Sequence, residues 1–541
     1  MENVAWWKRA VIYQIYPRSF FDSNGDGVGD LHGILQKMPY LASLGIDAIW
    51  LSPVFKSPMV DFGYDISDHC AIDPLFGSMS DFDAVLSAAH NLGIKLILDL
   101  VPNHTSSAHP WFQDSRRSRS SEFRDWYIWR DPAPDGGPPN NWLSAFGGSG
   151  WEFDDATGQY FYHTFLTSQP DLNWRNPKVR DAIKGVMRFW FAKGADGFRM
   201  DALWYLLKDD QFRDNPPNPD YRADQPPDHQ LLPLYTTDLF EVHDVIADLR
   251  RVADEFHDRL LIGEIYLPPT RLVAYYGKNL EGVHLPFNFS LLETRWHART
   301  LATLIDDYEA VLPPGSWPNW VLGNHDRPRI VSRVGLEQAR VAAMLLLTLR
   351  GTPTIYNGDE LGMKLAHIPP NRVQDPFELN VPGLGLGRDG ARSPMPWSDQ
   401  PQAGFSETEP WCPLIEDWRS TNVANLARDP TSMLALHRRL LALRKQEPAL
   451  MAGAYEPLLA TGDTLVYARN HPGFPTIVVA LNLSERHEAI ELENFGGHIL
   501  LSTFCDRVGE SIDAQLSLRP HEGVVLIRDT VPPPAGSQAA P

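Results

Sequence analysis

Charged side chains recur where apolar runs of this chain end, and those positions are where it could do chemistry. In residues 194–202 (GADGFRMDA) a short mixed run is bounded by glycine and closes on an acid. That is the form of a buried parallel strand whose carboxyl end opens on a cleft. Residues two apart on a strand share a face, so Arg199 and Asp201 point the same way. The guanidinium is expected to hold Asp201 ionised, which suits a nucleophile. A structural ion pair closing a strand would read the same, and recurrence separates the two readings. Residues 260–264 (LLIGE) end in Glu264, and 94–101 (IKLILDLV) carry Asp99 near their end, ahead of Pro102-Asn103-His104. A short apolar run at 320–322 precedes Asn324-His325-Asp326. The apolar approach to Glu264 is expected to favour its protonated form, giving an anion and a neutral acid side by side.

These groups are scattered over more than 200 residues, so a fold must gather them. Runs at 11–16, 46–51, 94–101, 197–201, 260–264, 283–289, 320–322 and 352–356 read as strands. Stretches of helical period at 31–44, 81–92, 177–193, 239–256, 341–350 and 434–443 lie between or after them. Strand–helix alternation of this kind predicts a parallel sheet with helical crossovers. Eight such units predict an α/β TIM (β/α)8 barrel, whose site lies at the carboxyl ends of the strands. The alternation breaks at 105–171, rich in Trp, Pro and Gly, which reads as a small domain inserted after strand three. Barrel segments are expected at 1–104 and 172–453. A Pro-rich loop at 213–233 is expected to narrow the mouth of the site. From 454 to 541, short alternating runs predict a C-terminal β-sandwich, with a disordered tail from Val531.

A loop at 22–30 (DSNGDGVGD) alternates oxygen-bearing side chains with glycines, as a chain does when it wraps a hard cation. Asp22, Asn24, Asp26, Asp30 and the carbonyl of Val28 are the expected ligands of a structural Ca2+ or Mg2+. The acidic balance, a formal net charge of −20 over 541 residues, argues against nucleic acid and anionic membranes as partners. The three cysteines (Cys70, Cys412 and Cys505) have no ligand-like spacing. With no secretion signal or long apolar run, the expectation is a cytoplasmic protein, monomer or homodimer, acting on a small molecule.

The motifs DLVPNH (99–104), QPDLN (169–173), GFRMDA (197–202), GEI (263–265) and NHD (324–326) together resemble the α-glucosidases of glycoside hydrolase family 13, in the oligo-1,6-glucosidase-like branch. The resemblance implies Asp201 as nucleophile, Glu264 as general acid/base and Asp326 as a third carboxylate gripping sugar hydroxyls. It implies that Arg199, His104 and His325 line the sugar subsite and that Tyr64 stacks beneath the ring. Asp99 and Asn103 would support the mouth, and Phe146 and Phe165 would wall it. It further implies an ion pair of Asp61 with Arg392, in the motif GARSPMPW (390–397), that closes the subsite around a terminal glucose. The implied activity is exo-acting, retaining α-glucosidase with transglucosylation. The alternatives are a sucrose- or trehalose-processing glucosyltransferase and a non-catalytic sugar-binding relative. Ala202 follows the nucleophile where the branch has valine or threonine, which leaves linkage preference open.

Overall fold

Side chains alternate along a strand, and here that alternation sorts a barrel interior from its outer shell. The computed structural model describes residues 4–492 and 496–528, so the tail beyond Val531 lies outside the described residues. Eight strands form the barrel: β1 (Ile12–Ile15), β2 (Ala48–Leu51), β3 (Lys95–Leu100), β4 (Gly197–Met200), β5 (Leu260–Gly263), β6 (Leu285–Pro286), β7 (Asn319–Val321) and β8 (Thr352–Tyr356). They pair in the order β6-β5-β4-β3-β2-β1-β8-β7. A parallel bridge between Asn288 and Trp320 closes the ring. Ile12, Ala48, Trp50, Ile97, Leu260, Ile262, Leu285 and Val321 fill the interior as one apolar cluster. Their sequence neighbours Tyr13, Ile49, Leu96, Leu98 and Leu261, and Phe198 on β4, belong to the outer core that includes the helices. Extending the inward parity by two residues brings Asp99, Arg199, Asp201 and Glu264 to the top of the barrel.

The crossover helices are α1 (Leu31–Leu44), α2 (Met79–Asn91), α3 (Pro177–Lys193), α4 (Val242–Asp254), α5 (Ala298–Val311), α6 (Leu336–Thr348) and α7 (Met433–Gln446), with one short turn, Pro269–Leu272, between β5 and β6. Local signals set their ends. Asp30 caps α1 by accepting from the Gly33 N–H, and Gly194 ends α3 with φ 109°, where a side chain would be strained. The strand expected over 283–289 shrinks to two residues at Pro286, which has no N–H to continue a ladder. Helix α6 starts earlier than its apolar period indicated, because its first turn is polar.

Between β3 and α3 the chain builds a three-stranded sheet with Gln159–Tyr162 at its centre, between Trp129–Arg130 and Trp151–Asp154. Bridges His104–Asp171 and Tyr127–Leu172 tie it to the barrel mouth. After α7 come β9 (Ala454–Ala460), β10 (Thr464–Asn470), β11 (Ile477–Asn482), β12 (Glu488–Glu491), β13 (Gly497–Ser502), β14 (Ser511–Ile512), β15 (Gln515–Leu518) and β16 (Gly523–Arg528). Six make one sheet, β9-β10-β11-β16-β13-β14, and β12 pairs with β15 in a second. Val466, Val478 and Leu526 face Ile490 and Leu516 across the two layers. Leu465, Tyr467 and Val479 face the opposite way, into the core shared with the barrel. Among the described residues no helix is long and apolar enough to cross a membrane.

Candidate active site

One guanidinium organises the site. Arg199, 1% exposed, lies over the ring of Trp50 at 5.0 Å. Its Nη1 donates to Asp99 Oδ1 at 2.8 Å and to Asp201 Oδ1 at 2.8 Å, and Nη2 reaches Glu264 Oε2 at 2.8 Å. Strand register makes this possible: Asp99 is the partner of Arg199 across β3–β4. The Asp201 N–H donates to the Leu100 carbonyl, and the Glu264 N–H to that of Met200. Ala202 takes a left-handed conformation, φ 46°, unusual for a residue with a Cβ and the kind of strain that gathers at functional sites. That turn aims its N–H at Glu264 Oε2, 3.0 Å away.

The third carboxylate, Asp326, follows β7. Arg392 Nη2 donates to its Oδ1 at 2.6 Å, and His325 Nε2 lies 3.3 Å from Oδ2. Arg392 is fully buried, and its Nε donates to the His325 carbonyl. The pair expected between Asp61 and Arg392 does not form. Asp61 instead accepts from Arg388 Nη2 at 2.8 Å, and Arg388 also grips Asp375 at 2.6 Å and approaches Asp326 at 3.4 Å. Asp389–Arg392 is a single 3-10 turn, so Arg388 and Arg392 leave its two ends in different directions. Arg388 and Asp375 are the site residues that sequence reasoning missed. The available signal was a second arginine four residues before Arg392 in the same glycine-rich stretch.

Protonation departs from the expected division. Burial raises the Asp201 carboxyl well above the usual range against the pull of Arg199, and Glu264 and Asp99 add to the rise. Burial likewise pushes Asp99 up to about 6, opposed by Arg199. Three carboxyl groups around one guanidinium repel one another, so their ionisation is coupled. Asp326 is the contrasting case: burial works to raise it, yet His325, Arg392 and Arg388 outweigh burial and hold it below the ordinary carboxylate range.

The remaining predicted residues converge on the same mouth. Tyr64 lies parallel to His325, ring centroids 5.4 Å apart, and its hydroxyl bonds Asp99 and His325 Nε2. Gln14 holds the other His325 nitrogen at 2.7 Å. His104 contacts the Tyr64 carbonyl, and Gln169 spans His104 and Asp61. Phe165 packs edge-on against both His104 and Tyr205, and Phe146 lies under the Arg388 guanidinium at 5.0 Å. Asn103 and Asp171 meet on buried Lys208, which fastens the inserted domain to the barrel. Beside the acids a cavity of about 320 Å³ is bounded by Trp204, Tyr205, Tyr266 and the Pro-rich loop at 213–233.

Loop 22–30 lies apart from this site. Asn24 and Asp26 accept the N–H two residues on, and Asp22 accepts from Asn24, Gly25 and Gly27. The three carboxylates are thus held by N–H groups and hydroxyls rather than by basic side chains. Among the described residues no three His, Cys, Asp or Glu side chains converge as a metal cluster. A cation there would rely on the mixed set with Asn24 and the Val28 carbonyl.

Two carboxyl groups held close together at the carboxyl ends of adjacent barrel strands are the arrangement with which glycosidases act on glycosidic bonds. The chain belongs to the alpha-amylase family: that family's catalytic domain matches residues 14–453, and the protein is a glycoside hydrolase. It is 42% identical over 521 residues to the probable alpha-glucosidase of Rhizobium meliloti (strain 1021), covering 93% of this chain and 94% of the relative. It is 38% identical over 540 residues to the oligo-1,6-glucosidase of Parageobacillus thermoglucosidasius, with 93% and 94% covered. Among solved structures it superposes on the alpha-glucosyl transfer enzyme XgtA with a TM-score of 0.93 at 40% identity, covering 97% of this chain and 100% of that one.

Proposed function

We propose that the protein is an exo-acting α-glucosidase that takes glucose from the non-reducing end of short α-glucosides by double displacement. The observation that carries this is the hold of Arg199 on both Asp201 and Glu264. A shared guanidinium favours the close spacing, about 5 Å, that a retaining glycosidase uses. Asp201 attacks C1 as the anion, which the developing positive charge of the sugar favours. Glu264 is anchored through Oε2, and its other oxygen protonates the departing oxygen and later deprotonates the incoming one. Asp326, kept ionised, binds sugar hydroxyls. Asp61 and Arg388 close the far end and limit the subsite to one terminal glucose.

The same intermediate passes glucose to water or to another hydroxyl, so hydrolysis and transfer share one site. The likeness to an alpha-glucosyl transfer enzyme supports the second route. One copy of the chain supplies every group named, so neither a monomer nor a homodimer alters the reading. The three free cysteines fit a reducing, cytoplasmic compartment. A structural Ca2+ or Mg2+ on Asp22, Asn24, Asp26, Asp30 and the Val28 carbonyl would offset the loop's negative charge. The deciding experiment is NMR, read before mutarotation, of the glucose released from an aryl α-glucoside, whose leaving group is not itself a sugar. α-Glucose supports double displacement, and β-glucose overturns it.

A further inference from the structure

The cavity beside the acids holds a polar group that the reaction as described does not use. Trp204 and Tyr205 follow Asp201 closely, Tyr266 lies two residues past Glu264, and Arg327 adjoins Asp326; all four line the cavity. It therefore opens from the acid/base side, where a leaving group departs and an acceptor arrives. Its opposite wall is the Pro-rich loop, which contributes Asp228. One oxygen of this carboxylate, Oδ1, is shielded from solvent and has no hydrogen-bond partner. Such an orphan costs about 1–3 kcal/mol, and it is as part of the cavity wall that the carboxylate is offered to a ligand. Burial pushes the group up to about 6, against the pull of His229 and nearby N–H groups. Its influence reaches the hydroxyls of Tyr162 and Tyr205 across the cavity. The arginine present, Arg327, lies against Tyr266 and pairs with Glu293.

We propose that Asp228 is the hydroxyl-reading group of an acceptor site for neutral hydroxylated rings, and that its carboxylate disfavours phosphorylated ones. This rests on the glucosidase reading. A sugar ring would lay its C–H face on Trp204 or Tyr205 and donate a hydroxyl to Asp228. In transfer, the bond from glucosyl C1 to the Asp201 oxygen breaks as the bond from C1 to the acceptor oxygen forms. The acceptor's proton goes to Glu264, so no further reactant is needed.

The test compares maltose, which fills the cavity with its second glucose, with α-glucosyl fluoride, which leaves it empty. For Asp228→Ala the ratio of kcat/KM on maltose to kcat/KM on the fluoride should fall about tenfold or more. Asp228→Asn, which keeps shape and hydrogen bonding, should restore part of that ratio. With the fluoride as donor, wild type should transfer glucose to methyl α-glucoside in preference to glucose 6-phosphate, and Asp228→Asn should narrow that preference. A maltose-to-fluoride ratio within twofold of wild type in Asp228→Ala would overturn the assignment while leaving the glucosidase reading intact. A wild type inert toward both donors would instead overturn the glucosidase reading and this inference with it.

Discussion

Replacing Arg388 tests which arginine closes the subsite. Its guanidinium contacts Asp375 at 2.6 Å and Asp61 at 2.8 Å, and both acids are buried, Asp375 completely. Breaking a buried pair leaves an uncompensated charge and costs about 3–5 kcal/mol. Burial would raise the Asp375 carboxyl, and Arg388 is what brings it down to about 2. A depressed carboxylate contributes stability above its unfolded pKa of about 3.9. In wild type that contribution is lost as pH falls from about 4 through 2. In Arg388→Ala most of it should already be missing at neutral pH, because the guanidinium that chiefly opposes the burial of Asp375 is gone. Arg388→Lys keeps the charge but not the fork, so it should fold while losing the bidentate grip. One charged hydrogen bond to substrate is worth about 1.5–3 kcal/mol, about 10–100-fold in kcat/KM. The assay is melting temperature with kcat/KM on maltose and longer maltooligosaccharides for Arg388→Lys. The loss should be greatest on maltose and should flatten the dependence on chain length. A lysine variant with wild-type kcat/KM and an unchanged profile would refute the role given to Arg388.

Other changes have equally definite outcomes. Asp201→Asn should lower kcat by about 10³-fold or more. It should also leave melting temperature unchanged or higher, because it relieves repulsion among crowded carboxyl groups; a clear fall in melting temperature would contradict the crowding. Burial depresses His325 and His284 to about 3, and His69 and His437 to about 4. Depressed histidines contribute stability that is complete above the unfolded pKa of about 6.5 and lost as pH drops toward 3. Melting temperature should therefore decline from pH 7 to pH 5, and a flat profile would count against neutral burial of these rings. Lys208→Met should destabilise the protein by about 3–5 kcal/mol by stranding Asp171, read by denaturant unfolding. Chelation should lower melting temperature with little effect on initial rate, and indifference to chelator would leave loop 22–30 without a cation.

Local periodicity determined a good deal. Apolar runs located all eight barrel strands, and the two-residue repeat of β4 put Arg199 and Asp201 on one face whatever the rest of the chain did. Asp30 and Gly194 ended helices through capping and a left-handed turn, both decided within a few residues. Tertiary structure decided what distant residues do to one another. Asp61 met Arg388 across 327 positions and left Arg392 to Asp326, because the direction in which each end of a short turn points depends on how the long excursion after β8 folds back. The upward shift of the Asp201 carboxyl arose the same way: adjacency predicted a lone arginine beside it, but the barrel also packed Asp99 and Glu264 around that arginine and buried all three acids. Charge interactions act through space and depend on burial, and neither distance nor burial is encoded in the spacing of residues along a strand.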